Sequence, residues 1–213
     1  ADEEQGKYLA LSEIEDLKTN LNADSITIAL TDSNNFRKDV LPSYKDNRKA
    51  KRKPLILGAI RKWLMDEYDA IYYPNLEADD VLGILATQPQ KKEERIICSL
   101  DKDLRQIPGK LSQDGRTIVK RSKTECDWWH LIQTLTGDSV DGFSGCPTIG
   151  KVTAQKILKD KKLPIREQWQ LVVKAYEKQG LFEHDALQQA RVARILRHGD
   201  YNKKTGEVKQ WQI

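Results

Sequence analysis

Three short stretches rich in β-branched and aromatic residues, DSITIALTDS (24–33), AIYYP (70–74) and RIICSL (95–100), alternate with stretches of helical spacing in the first half of the chain. That alternation predicts an α/β fold: a mostly parallel central sheet with helices on both faces. In YLALSEIEDLKTNL (8–21), Leu9, Ile14, Leu17 and Leu21 recur as one helical face. LILGAIRKWLMDEY (55–68) predicts a second helix, started by Pro54, and EADDVLGILATQ (77–88) a third. Ligands of such sheets bind beyond the carboxyl ends of the strands. Asp32 and Asp101 stand at two of these ends.

Past about residue 112 the pattern changes. KLSQDGRTIVKRS (110–122) predicts a small hairpin around Asp114–Gly115. Helical stretches follow over 126–138, 145–160, 165–179 and 184–199, and YNKKTGEVKQWQI (201–213) predicts a hairpin on Thr205–Gly206. The expected division is an α/β core over 1–121, with a basic region at about 44–54, and a mainly helical lobe over 122–213.

Composition narrows the class. Hydrophobic residues make up 38% of the chain and no apolar run nears the roughly 18 residues of a membrane span, so no transmembrane segment is expected. ADEEQGKYLA lacks the basic and apolar regions of a signal peptide. Cys98, Cys126 and Cys146 form an odd set without a CxxC, which points to reduced thiols in a cytosolic protein and away from a disulfide frame or zinc site. The net charge of +4 decides little, but its distribution is uneven. YKDNRKAKRKP (44–54) carries six cations against one aspartate, while carboxylates gather elsewhere. Separate basic and acidic clusters suit a polyanionic substrate and a metal.

The carboxylates are Asp32, Glu77, Asp79, Asp80, Asp101, Asp103, Asp138 and Asp141. Each cluster alone has a plain structural reading, since Asp79 and Asp80 can cap a helix and Asp101 can end a strand. Four clusters at element ends together point to metal. Magnesium takes oxygen ligands, and two ions about 3.5–4 Å apart can clamp the attacking and leaving oxygens of a phosphodiester. Without cations, so many acids in one place repel one another.

GCPTIGKVTAQKIL (145–158) has the form of a helix-hairpin-helix, with Gly145 and Gly150 before a helix starting near Lys151. Glycines admit a close backbone, and a helix N-terminus is a phosphate seat. In YKDNRKAKRK, a helical turn would aim Lys45 and Arg48 the same way, and Tyr44 is a stacking surface for a base. Lys49, Lys51 and Arg52 extend the charge; the alternative is a solvated basic loop.

EADDVLGILA, SLDKDLRQIPG, LTGDSVDGFSGCPTIGKVTA and YKDNR resemble, in order and spacing, the motifs of the flap endonuclease / 5′→3′ exonuclease family. TDSNNFRKDVLPSYKDNRKA, DWWHLIQTLTGD and ARVARILRHGDYN look nearest to the exonucleases of short-tailed bacteriophages. The likeness runs from about residue 25 to about 200. It implies a 5′-nuclease/PIN-like core with a helix-hairpin-helix lobe, and hydrolysis of DNA by two Mg²⁺ ions, with Mn²⁺ as a substitute and K⁺ at the hairpin. It implies Asp32, Glu77, Asp79 and Asp101 at one metal position, Asp80 and Asp103 in the shared pocket, and Asp138 with Asp141 at the second. Lys45 and Arg48 match the basic arch at the scissile phosphate, and Gly145, Gly150 and Lys151 match the duplex-binding hairpin. The implied partner is duplex DNA with a free 5′ end or flap, with RNA–DNA hybrid as a further substrate, for a monomer in the host bacterial cytosol. A PIN-type ribonuclease shares the acidic sheet edge but lacks the hairpin.

The family opens on an apolar strand ending in a ligand aspartate. Here Asp2 is followed by Glu3, Glu4 and Gln5, so the expectation is a chain without that strand and ligand. The alternative function is a structure-specific DNA-binding chain without catalysis.

Overall fold

The computed structural model describes residues 2–48, 52–90 and 93–213. Asp2 caps α1 (Glu3–Asn20), which runs beside α3 (Leu57–Tyr68). Between them lie the single turn α2 (Arg37–Val40) and a 3₁₀ turn at Asp46–Arg48. α4 (Ala78–Thr87) carries the acidic triplet at its start. Then come β1 (Ile96–Cys98), a 3₁₀ turn at Lys102–Gln106, β2 (Gly109–Ser112) and β3 (Val119–Arg121). Helices α5 (Lys123–Thr136), α6 (Lys151–Ile157), α7 (Ile165–Glu177) and α8 (Glu183–Ala193) follow, and β4 (Tyr201–Asn202) and β5 (Glu207–Val208) close the described chain.

The α/β class and the helical second half stand as expected, but the sheet is mixed. β1 and β2 pair in parallel, and β3 turns back antiparallel through the hairpin around Asp114–Gly115. The stretches 24–33 and 70–74 do not form full strands. They meet in parallel at one bridge, Ala29 with Ile71. The Leu30 N–H bonds Ile71 O and the Ile71 N–H bonds Ile28 O; then the Asp32 N–H turns to Leu76 O. A ladder needs repeated pairs, and here the chain leaves after two bonds.

Packing follows the helical spacing. Leu131 and Leu135 of α5 meet Val172 and Tyr176 of α7 and Ala186 and Ala190 of α8. Polar tips inside this core are satisfied, as expected of buried groups: Trp128 Nε1 donates to Leu158 O at 2.7 Å and Tyr176 Oη to Thr134 O at 2.7 Å. Ile195 and Leu196, just past α8, return to the first half and pack with Leu104, Ile107, Val81 and Ile84. Gly83 makes that return possible, because a Cβ there would stand 2.3 Å from Leu196 O. Cys98, Cys126 and Cys146 are free, and burial pushes the Cys126 and Cys146 thiols up to about 11. No described helix is long and apolar enough to cross a membrane.

His130 gives a stability test. It is buried, with Nε2 2.8 Å from Ala190 O and its ring edge-on to Trp211. Burial, followed by the charges of Arg194 and Arg197, lowers its pKa from 6.5 to about 3. Between those values the unfolded chain binds more protons on this imidazole than the folded one. Its contribution is therefore intact above pH 6.5 and is lost as pH falls toward 3, by about 1.4 kcal/mol per unit. In urea melts, His130→Gln should lose less stability than the native chain between pH 7 and pH 5. The comparison isolates this residue because other titrating groups are common to both chains.

Candidate active site

The acidic edge is built where segments end. Asp32 ends the bridge segment and accepts the Asn75 N–H at 2.8 Å. Burial alone would raise its pKa, but the N–H groups of Asn75, Ser33 and Asn34 outweigh it and hold the carboxyl below its usual range. Glu77 caps α4, with Asp79 and Asp80 in the first turn. Asp101 follows β1 and caps the 3₁₀ turn by accepting the Asp103 N–H at 2.8 Å. Asp138 accepts the Val140 N–H at 2.8 Å, in a loop closed by backbone bonds between Asp138 and Phe143.

The triplet divides by partner. Asp80 is fully buried and accepts from Arg37 Nη1 at 2.7 Å and Nη2 at 2.9 Å. It also accepts the Leu196 N–H at 3.0 Å and the Glu77 N–H at 3.2 Å. Asp80 therefore departs from the metal role expected of it, because both oxygens are committed inside the fold. Asp79 next to it has no hydrogen bond or ion pair among the described residues. Burial, then the charges of Asp101, Asp80 and Glu77, pushes it up to about 7. Asp103 is pushed up to about 6, first by burial, with Asp101 and Asp138 adding to it against a hydrogen bond from Gln133.

The remaining acids hold protein cations. Lys45 Nζ bonds Glu77 and lies 3.6 Å from Asp141, Arg48 bonds Asp141, and Lys102 Nζ is 3.2 Å from Asp138. Burial would raise the Glu77 pKa, but Arg37 and Lys45 hold it low; Lys102 does the same for Asp138. Among the described residues no three His, Cys, Asp or Glu side chains converge closely enough to hold an ion. The donor chemistry still fits a hard divalent cation: carboxylate oxygens, with Asp79 and Asp103 pushed up by burial and by the acids around them. Asp79, Asp101 and Asp103 are the group such an ion would relieve.

The basic segment differs from its expected arrangement. Tyr44 is 2% exposed, so it offers no face to a base. Its hydroxyl lies 3.0 Å from Glu77 and 3.2 Å from Asp141, and tethers both acids. Lys45 has φ +58, and its N–H donates to Asp141 O at 2.9 Å. Lys45 and Arg48 thus fold into the acids through a bend and one 3₁₀ turn instead of projecting from a helix. Arg52 is exposed, and Lys49 and Lys51 lie outside the described residues.

Gly145 also has a different part from the one expected. At φ +64, a Cβ on it would stand 2.2 Å from Gly137 N, so its close approach is to α5 and not to a ligand. Gly150 caps α6 with open space around it, and Lys151 is exposed at the first helical position. Arg37 and Lys102 were not among the expected residues. Arg37 sits in a polar run with no local signal, and Lys102 is masked between two aspartates.

An α/β core with carboxylates at its strand and helix ends, facing a basic segment, is the design of a nuclease. Residues 5–129 match the model of the 5′-3′ exonuclease N-terminal resolvase-like domain. The exodeoxyribonuclease of Enterobacteria phage T3 is 34% identical over 220 aligned positions, covering 87% of this chain and 72% of the relative. The exonuclease of Escherichia phage T7 is 34% identical over 222 positions, covering 88% and 73%. Among solved structures, the bacteriophage T5 flap endonuclease in complex with DNA and metal ions has the same fold, at TM-score 0.62 and 16% identity over 88% of this chain and 80% of that one. The chain belongs to the 5′→3′ exonuclease family, and is a nuclease of that class.

Proposed function

We propose that this chain hydrolyses DNA from free 5′ ends and at 5′ flaps, using divalent cations held by Asp79, Asp101 and Asp103, with Asp138, Asp141, Glu77 and Asp32 around them. The observation that carries the reading is Asp79, pushed up to about 7 by burial and three neighbouring acids against the charge of Lys45, with no hydrogen bond or ion pair among the described residues. Mg²⁺ is the expected ion, two per site, with Mn²⁺ as a substitute. Bound there, the ions supply charge neutralisation at the phosphodiester and activation of water. Lys45 and Arg48 now neutralise Glu77 and Asp141; turned toward substrate, they set positive charge on the scissile phosphate. The loop at Gly150–Lys151 holds duplex phosphates, with K⁺ at the hairpin, and the helical part after residue 122 serves as the duplex-binding lobe.

The relatives named above support a phage setting, with work as a monomer in the host cytosol in replication, recombination or host DNA degradation, and RNA–DNA hybrid as a further substrate. The test is a 5′-labelled flapped duplex incubated with Mg²⁺ or with EDTA. Cleavage is expected only with Mg²⁺ and is expected to be lost in Asp101→Ala. Equal cutting in EDTA, or full activity in Asp101→Ala, overturns the proposal. The absence of three converging carboxylates among the described residues favours a second reading, a DNA-binding chain without chemistry. Tight flap binding with no turnover in Mg²⁺ or Mn²⁺ would select it.

A further inference from the structure

The β4–β5 hairpin frames a broad cavity of about 750 Å³ whose lining shares no residue with the acidic edge. Lys203, Lys204 and Lys209 line it against one carboxylate, Glu207. All three lysines are exposed, and none has an ion pair among the described residues. The acids at hand are engaged elsewhere. Glu207 accepts from Thr205 Oγ1 at 3.0 Å, and Asp200 accepts from Arg194 Nη2 at 3.1 Å and from the Arg197 N–H at 3.0 Å. The hairpin thus keeps a positive charge that the fold does not answer.

The lysines stand on a fixed frame. Tyr201 pairs with Val208 and Asn202 with Glu207. Asn202 Oδ1 accepts the Lys204 N–H at 2.9 Å, and the Gly206 N–H closes the turn on Asn202 O at 2.8 Å. The Lys209 N–H donates to Asp200 O at 2.8 Å. Beneath them Tyr201 is buried and stacked with Tyr73, 5.7 Å between centroids, and Lys203 Nζ lies 4.7 Å from the Tyr73 centroid. Tyr201 Oη donates to Pro74 O at 3.1 Å, and the next residue, Asn75, gives its N–H to Asp32. One short loop therefore joins the hairpin to the acidic edge at Asp32. Lys151 meets that edge at another place, in a cavity it shares with Asp138.

These features select a partner. No large hydrophobic side chain is exposed between residues 198 and 209. Protein interfaces are depleted of lysine, and a helix lying in a membrane surface needs an apolar face. Tyr73 is engaged by Tyr201 and Lys203, and Tyr201 is buried, so the hairpin offers no ring to a base. What it offers is a set of lysine point charges on a rigid support. Such charges hold a phosphate backbone without reading its sequence.

We propose that the β4–β5 hairpin is a second DNA-binding surface, separate from Gly150–Lys151, that holds backbone phosphates through Lys203, Lys204 and Lys209. The inference rests on the nuclease reading and extends it: DNA running along the acids meets Lys151 near Asp138 and the hairpin near Asp32. Two sources carry such phosphates, a single-stranded flap and the duplex itself.

The test measures binding of the full chain to a labelled flapped duplex by fluorescence anisotropy, without divalent ions, over a range of salt. Lys203→Gln, Lys204→Gln and Lys209→Gln combined should weaken binding about tenfold at low salt and lower the slope of log affinity against log salt by about 2–3. If that chain melts below the native one, Lys204→Gln with Lys209→Gln, which leaves the Tyr73 contact in place, should lower the slope by about 2. Hydroxyl-radical footprinting of the same DNA locates the contact. One block of backbone protection should vanish while the rest stays. A block in the flap assigns the hairpin to single strand, and a block in the paired region assigns it to duplex. An unchanged slope, or uniform weakening with every block kept, overturns the proposal. Neither measurement uses cleavage. A chain that shows the block but cuts nothing keeps the hairpin surface and loses the nuclease reading, and one that cuts with an unchanged slope in the variant loses the hairpin surface alone.

Discussion

An Asp80→Ala chain is expected to unfold on the order of 10 °C below the native chain, a loss of about 3–5 kcal/mol. The substitution removes one carboxylate but strands several partners. Arg37, 3% exposed, would keep its charge in the interior with only Glu77, 3.6 Å away and already bonded to Lys45, as counter-ion. The Leu196 and Glu77 N–H groups would lose their acceptor as well. Arg37 cannot swing to water cheaply, because Nε donates to Val192 O at 2.8 Å and Nη2 to Arg194 O at 2.6 Å. Removing one partner of a buried pair costs more than removing both. Arg37→Met combined with Asp80→Leu should therefore recover part of the loss. Thermal melts followed by circular dichroism read both chains, and a melting point within about 2 °C of native for Asp80→Ala, a loss of about 0.5–1 kcal/mol at most, would refute the structural role.

Asp79→Asn is expected to do the reverse: cutting falls by at least about 100-fold while the fold is kept. Asp79 holds nothing together, having no hydrogen bond or ion pair among the described residues, and its raised pKa marks a charge the fold tolerates poorly. The folded chain holds this proton up to about pH 7, the unfolded chain only up to 3.8. Asp79 therefore weakens the metal-free fold progressively as pH rises from about 4 through 7. At pH 8 without divalent ions, Asp79→Asn should melt above the native chain, and at pH 4 the two should coincide. Initial rates on a 5′-labelled duplex give the activity side. A variant that still cuts at the native rate would remove Asp79 from the chemistry.

The contrast between these neighbours shows where reading the sequence ends. Glu77, Asp79 and Asp80 look equivalent as a charged first turn, and the apolar positions Val81 and Ile84 make the helix itself legible. Their different fates depend on Arg37, which lies 43 residues away and leaves no periodic trace. Tyr44 misled for a similar reason: an aromatic beside six cations reads as a surface group, but long-range packing buries it. The two hairpins were legible because Asp114–Gly115 and Thr205–Gly206 act locally. The stretch at 24–33 has the composition of a strand, yet pairing is a property of two segments, and only Ile71 bridges it.

The return of Ile195 and Leu196 to the first half sets an order on assembly. The pair Arg37–Asp80 gains backbone partners from Val192, Arg194 and Leu196 only when the end of α8 and the chain just past it are in place. Gln106, under the Asp103 wall, likewise accepts the Ile195 N–H and donates to Ala193 O. During synthesis, α4 and the Lys102–Gln106 turn emerge long before this segment, so the acidic edge gains its final support after most of the chain has been made. A nuclease assembled in that sequence acquires its cutting edge late, once the helices proposed to grip the duplex already exist.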